Sequence, residues 1–267
     1  MVTVLSALTS LGSLDLGFQY PQSHPDQASR HPPPPTRTLP VLTRFWFKGV
    51  CEYLDDLVVR IDAPRVNDLS ITFFNDIILD TPRFIQFISR TPTLKVLGDA
   101  RVVFGHRAAT VSFSHTFFYG SLDVRISCGE LDWQVSSLAQ VFTSYLPALS
   151  TTEDLYIYQN PYPSLQPEWQ EDNIENSLWL ELLRQFSAVK NLHLSKEFVP
   201  RIAPALQELV GGRTTEVLPT LQNIFLENHR PSGPVHEGIG KFVAVRKLSG
   251  HSITVSLWER SVAEVDD

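Results

Sequence analysis

One short pattern constrains this chain more than any other feature, because it returns along the whole length: apolar-x-x-apolar-x-apolar. It reads Leu11-Gly-Ser-Leu14-Asp-Leu16, Leu42-Thr-Arg-Phe45-Trp-Phe47 and Val66-Asn-Asp-Leu69-Ser-Ile71, then Val189-Lys-Asn-Leu192-His-Leu194 and Leu221-Gln-Asn-Ile224-Phe-Leu226. Partial copies stand at Leu122-Asp-Val124 and Leu155-Tyr-Ile157. Such a phrase is the strand segment of a leucine-rich repeat, whose units stack into a curved solenoid. Solenoids of this kind bind other macromolecules on their concave face, so the pattern points to recognition rather than catalysis.

The spacing is irregular. With the fourth position as anchor, the copies fall at Leu14, Phe45, Leu69, Leu122, Leu155, Leu192 and Ile224, 24 to 53 residues apart. Regular leucine-rich repeats run about 20–29 residues, so most of these units are long. The widest interval, from Leu69 to Leu122, holds a worn copy, Leu97-Gly-Asp-Ala100-Arg-Val102, which divides it into two units. The asparagine that often follows the strand occurs only as Asn160, so no continuous asparagine ladder is expected. Ordinary strands of a different α/β fold are the alternative.

Between the strands the apolar period changes to that of a helix. Leu54, Leu57, Val58 and Ile61 share one face, and Phe84, Ile85, Phe87 and Ile88 follow Thr81-Pro82, a helix start that combines a capping hydroxyl with a proline. Val135, Leu138, Ala139, Phe142 and Leu146 make a third stripe. Leu178, Leu182 and Phe186 make a fourth, opened by Asp172 with Glu175 three residues on, in the manner of a capping box. Ile202, Leu206, Leu209 and Val210 run into Gly211-Gly212, and Ile239, Phe242, Val243 and Val245 precede Gly250. Alternating strand and helix predict an α/β architecture. It is an irregular leucine-rich-repeat-like solenoid of seven or eight units, parallel strands on the concave face and helices on the convex face. It forms one domain over residues 1–267.

Composition fits that reading. At 43% hydrophobic, 267 residues can bury a long core. Lys plus Arg is 22 against 29 Asp plus Glu, a formal net charge of −7, and no basic stripe marks a nucleic-acid groove. Cys51 and Cys128 are too few for a disulfide framework and are read as buried thiols. The sequence has no Asn-x-Ser/Thr sequon, in keeping with an intracellular protein, cytoplasmic or nuclear. The start, Met1 to Leu16, lacks a basic beginning and is broken by Thr3, Ser6, Thr9 and Ser10, unlike a signal peptide. No stretch approaches the roughly 20 apolar residues that span a bilayer, so no membrane partner is expected. Residues of about 20–38, with Pro32-Pro33-Pro34-Pro35, form a proline-rich segment read as a long exposed loop; a ligand for a proline-binding module is the alternative.

Several segments resemble the repeat region of fungal F-box proteins. They are Leu39-Pro-Val-Leu-Thr-Arg-Phe-Trp-Phe-Lys-Gly-Val50, Glu52-Tyr-Leu-Asp-Asp-Leu-Val-Val-Arg-Ile-Asp-Ala-Pro64 and Phe87-Ile-Ser-Arg-Thr-Pro92. Trp179-Leu-Glu-Leu-Leu183, Val189-Lys-Asn-Leu192 and Ile202-Ala-Pro-Ala-Leu-Gln-Glu-Leu-Val210 continue the likeness in order. The resemblance implies that the repeats select a ubiquitin-ligase substrate. It implies further that an F-box helix cluster docks on a Skp-type adaptor and its cullin ligase. No F-box segment stands before the repeats of this sequence, so the recognition half is what carries over, and the adaptor and cullin become partners only where an F-box is supplied upstream. The alternative is a stand-alone leucine-rich-repeat scaffold.

Catalytic patterns are missing. The eight histidines form no His-x-x-x-His pair, Gly-x-Ser-x-Gly does not occur, and Gly238-Ile-Gly240-Lys241 is only a fragment of a phosphate loop. Asp55-Asp56 reads as a solvated helix face. No enzyme activity, cofactor or metal is expected. The binding surface follows from strand alternation, which sends the apolar positions inward and the intervening ones outward. The outward residues are Ser13, Asp15, Arg44, Trp46, Lys48, Asp68, Ser70, Thr72, Asp154, Tyr156, Tyr158, Asn191, His193, Ser195, Asn223, Phe225 and Glu227. Large aromatics among them serve as interface anchors and charges as selectors, so a protein partner is placed on Arg44, Trp46, Lys48, Asp68, Asp154, Tyr156, Tyr158, His193 and Phe225. Loops or a terminal segment folded over these aromatics are the alternative use.

Overall fold

The structure, a computed structural model, describes residues 10–18, 37–74, 82–94, 98–115, 118–145, 151–160, 174–209, 213, 215–227 and 234–259. The polyproline run, Thr81, Leu146, Asp172 and Gly211-Gly212 lie outside the described residues.

Ten strands form one open, mostly parallel sheet in the order β1-β3-β5-β8-β7-β6-β9-β10-β11-β12. They are β1 (Ser13–Gly17), β3 (Arg44–Gly49), β5 (Asp68–Phe74), β6 (Asp99–Gly105), β7 (Ala108–His115), β8 (Phe118–Ser127), β9 (Asp154–Gln159), β10 (Asn191–Leu194), β11 (Asn223–Glu227) and β12 (Thr254–Trp258). β2 (Arg37–Thr38) and β4 (Ile61–Asp62) pair separately. Six helices are described: α1 (Cys51–Val58), α2 (Pro82–Arg90), α3 (Leu131–Tyr145), α4 (Asn176–Arg184), α5 (Val199–Glu208) and α6 (Pro234–Leu248). Parallel neighbours need a crossover between them, and the helical stripes supply it.

The recurring phrase is the reason for the layering. Its last two apolar positions are buried in most copies, as in Phe45 and Phe47, Leu69 and Ile71, Leu192 and Leu194, Ile224 and Leu226. They join Leu54, Phe87, Leu138, Leu182, Ile202 and Phe242 from the helices in one continuous hydrophobic cluster. The helices therefore cover one face of the sheet. Several strand starts are locked to a neighbour by one carbonyl that accepts two successive N–H groups. Thr43 O takes Asn67 and Asp68, Glu153 O takes Lys190 and Asn191, and Lys190 O takes Gln222 and Asn223. Arg246, wholly buried on α6, donates Nη2 to the carbonyls of Leu218 and Pro219, holding the turn where Leu218 has a φ of 48°.

Several expectations are corrected. The worn copy does not stand between β5 and β8. β8 lies directly beside β5, with Leu69 opposite Leu122, while β6 lies three places away beside β9, with Ala100 opposite Leu155. The cause is an antiparallel meander: β6 turns through His106-Arg107 into β7, which turns back into β8. Gly105 fits that turn closely, since a Cβ there would stand 3.3 Å from the Ala108 carbonyl oxygen. Phrase-bearing strands all run the same way; β7 alone among the sheet strands runs against them.

The first helix stops at Val58, and Ile61 reaches the core from β4 instead. Glu175 is the N-cap of α4 and makes no side-chain capping bond, so the capping box does not form around it. Asp55 is not simply solvated: its Oδ1 accepts the Phe84 N–H at the start of α2 at 3.0 Å, and Asp56 pairs with Arg83 at 3.3 Å. Gly238–Lys241 is part of α6. A Cβ on Gly238 would lie 3.5 Å from the Ala203 carbonyl oxygen, so glycine here serves close approach of α5 and α6. No helix among the described residues is long and apolar enough to cross a membrane.

Leu192 is fully buried on β10. Leu192→Ala should cost about 2–5 kcal/mol in urea denaturation, as truncations of buried leucines do. An unchanged midpoint would contradict its inward placement.

Candidate functional site

Covering one sheet face with helices leaves the other to the outward residues, and register aligns them into rows. The middle row takes one residue from each strand: Asp15, Trp46, Ser70, Asp123, Ser112, Arg101, Tyr156, His193, Phe225 and Ser256. A row nearer the starts of the parallel strands runs through Arg44, Asp68, Ser121, Ser114, Asp99, Asp154, Asn191 and Asn223. Toward their ends lie Lys48, Thr72, Arg125, Thr110, Val103 and Tyr158.

All nine expected binding residues lie in these rows, but in two groups. Arg44, Trp46, Lys48 and Asp68 belong to β3 and β5; Asp154, Tyr156, Tyr158, His193 and Phe225 belong to β9, β10 and β11. Three strands of the meander separate them, so the groups stand about 19 Å apart at the usual strand spacing.

In the second group the side chains are largely engaged with one another. His193 is stacked between Tyr156 (centroids 4.2 Å apart, 16° between planes) and Phe225 (4.4 Å, 9°). Trp258, from the last strand, comes edge-on to His193 at 5.3 Å and touches Tyr156 at 5.8 Å. The Arg101 guanidinium lies 5.8 Å from the Tyr156 ring centroid. His193 is thereby only 9% exposed and its Nδ1 is buried with no hydrogen-bond partner. The expectation that His193 and Ser195 face solvent fails at both. His193 is enclosed by aromatic rings, and Ser195 lies beyond the end of β10, fully buried, with its Oγ donating to Glu197 at 2.7 Å. Below the rings, Asn191 Nδ2 donates to Asp154 and Asn223 Nδ2 to Asn191, both at 2.8 Å. A short side-chain ladder does form, at the strand starts rather than after the strands.

The first group is open. Trp46 is 41% exposed, its Nε1 donating to Asp68 at 3.4 Å. Arg44 lies 5.9 Å from the Trp46 ring and Lys48 5.6 Å from that of Phe74. Sequence reasoning missed the residues of the meander, above all Asp123, Arg125 and Arg101. The signal was present in the partial copy Leu122-Asp-Val124, whose middle position must point outward. Trp258 carried no such signal, because the last full copy of the phrase lies on β11, and β12, which follows it, carries none.

Two aspartates of this face have opposite electrostatics. Asp154 is held below the ordinary carboxylate range, first by His193 and also by the Asn191 amide, against the opposing effect of burial. At 3.8 Å the His193 Nε2 makes an ion pair only when protonated, and is too distant for a good hydrogen bond. Asp123 is pushed up, first by burial and also by the Asp68 carboxylate, against a hydrogen bond from Ser112. Among the described residues no three His, Cys, Asp or Glu side chains group as metal ligands. Comparison with family models, curated proteins and solved structures finds no match to this chain.

The two shifts predict opposite effects on stability. The folded pKa of Asp154 lies below its unfolded value, so its contribution is full above the unfolded pKa and is lost as pH falls through the folded one. The folded pKa of Asp123 lies above its unfolded value; the charged form costs stability at neutral pH, and that cost vanishes below the unfolded pKa. Urea midpoints at pH 7 should therefore rise in Asp123→Asn and fall in Asp154→Asn. Both differences should shrink as pH drops from about 5 to about 3, where aspartates protonate. Shifts of the same sign at pH 7 would refute the assignment.

Proposed function

We propose that the protein is a non-enzymatic recognition module that binds another protein on the helix-free face of its sheet. The observation that carries this reading is Trp46: a large indole kept outward and 41% exposed on β3, where its register neighbours on the flanking strands are Asp15 and Ser70. Tryptophan is enriched among the few residues that dominate interface energetics, and charged neighbours select against wrong partners.

In this reading the sheet and its helices form an irregular leucine-rich-repeat-like solenoid with the open face concave. The strand phrases, the helical crossovers and the repeated two-donor lock at strand starts support it; the antiparallel meander is an insertion between units. The likeness of the repeats to those of fungal F-box proteins makes the partner a substrate of a ubiquitin ligase. A Skp-type adaptor and cullin then join through an F-box supplied upstream. A stand-alone scaffold would use the same face without them.

Affinity purification with mass spectrometry tests both levels. The chain, Trp46→Ala and Arg184→Ala, a residue on helix α4, are used as parallel baits after each is shown to be folded. A partner held through the open face is retained by Arg184→Ala. It weakens on Trp46→Ala by about 2 kcal/mol when measured directly, the usual size of a hot-spot loss. Adaptor and cullin among the retained proteins support the ligase reading. Equal binding by Trp46→Ala, or loss in Arg184→Ala alone, places the site elsewhere.

A further inference from the structure

The open half of the face carries six charges that do not pair with one another. Asp15, Asp68, Asp123, Arg44, Lys48 and Arg125 lie on four adjacent strands, β1, β3, β5 and β8. Arg44 and Asp68 are direct register partners, yet the guanidinium is set over Trp46 and the carboxylate takes neutral donors, Trp46 Nε1 and Ser121 Oγ, each at 3.4 Å. Lys48 likewise stands over a ring. Asp123, half-buried between Ser70 and Ser112, holds a serine hydroxyl and no cation. In a monomer this arrangement is unfavourable: Asp68 and Asp123 repel each other, and burial without a counter-charge disfavours the Asp123 carboxylate.

We propose that this half of the face seats a basic side chain of the partner protein, arginine in preference to lysine, between Asp68 and Asp123 and alongside the exposed indole of Trp46. An incoming guanidinium offsets the repulsion between the two carboxylates and the desolvation of Asp123. Its planar fork can reach two carboxylates while its face lies on the indole, which an ammonium does less well. The inference rests on the open face being the recognition surface, as proposed above, and names the chemistry it recognises.

A random peptide library displayed on phage and selected against the folded full-length chain tests it. Recovered peptides are then measured on Asp68→Asn, Asp123→Asn, Trp46→Ala and Arg184→Ala. The expected result is a shared arginine or lysine and affinity at least about tenfold lower on either asparagine variant, one tenfold step being 1.4 kcal/mol. Arg184→Ala should bind as the parent does, and added salt should weaken binding. Asp123→Asn is expected to fold at least as well as the parent, so its loss of binding cannot be a loss of structure. Peptides that depend on Trp46 but share no basic residue, or bind both asparagine variants equally, overturn the basic-side-chain inference and leave the recognition face standing. If no recovered peptide depends on Trp46, Asp68 or Asp123, or none binds, both readings fail.

Discussion

Everything in this molecule depends on a mostly parallel sheet that, among the described residues, is covered by helices on one face. Parallel sheets are usually covered on both sides, and their strands read as continuous apolar runs. Here strict alternation sends Phe45, Leu69, Leu122, Leu155 and Leu192 into the helical layer and their neighbours outward. A one-residue slip in any strand would exchange the two sets, so the buried face fixes the register. Register in turn creates the rows of the open face, none of which is contiguous in sequence. The helix-side core thus positions side chains that never touch it.

The two halves of that face have spent their side chains differently. On β9, β10 and β11 the rings of Tyr156, His193 and Phe225 are packed against each other with Trp258 across them, and Asp154 accepts the amide of Asn191. Those groups contribute to the fold and offer a partner mostly ring edges. On β1, β3, β5 and β8 the charges are held over rings or on neutral donors, and Trp46 stays exposed. Sites of recognition commonly carry such local costs, because groups arranged for a partner are not optimally arranged for the free protein. Asp123 is the clearest case: its charge is disfavoured by the same burial that would strengthen its grip on an incoming cation.

Much of the fold was legible because the two periods differ. Leu69-Ser-Ile71 can only alternate, and Val135, Leu138, Ala139 and Phe142 can only share a helical face, so strand and helix separate cleanly. What was not legible was the order of strands in the interval between Leu69 and Leu122. Ala109-Thr-Val111-Ser-Phe113 alternates as a strand, but nothing local says that it runs antiparallel or carries β8 back beside β5. Within the site, the outward direction of Arg44, Trp46, Lys48, Asp68, Asp154 and Tyr156 followed from alternation alone. The burial of His193 did not, since it depends on rings from three other strands, one of them β12. Nor did the juxtaposition of Asp68 and Asp123, which are far apart in sequence and meet only because the meander doubles back.

That adjacency of β5 and β8 is the point on which both the face and its proposed chemistry turn, and cross-strand cysteine pairing measures it directly. Thr72 and Arg125 are register partners on the open face, whereas Val103 lies two strands beyond Arg125. Adjacent strands bring Cα atoms to about 5 Å, within disulfide reach, while partners three spacings apart are about 14 Å away. Oxidation of the folded Thr72→Cys/Arg125→Cys protein should give an intramolecular disulfide, with the Thr72→Cys/Val103→Cys protein remaining reduced. Cross-linking of Thr72 to Val103 instead would mean that the strands follow chain order, and would contradict the face described for this protein.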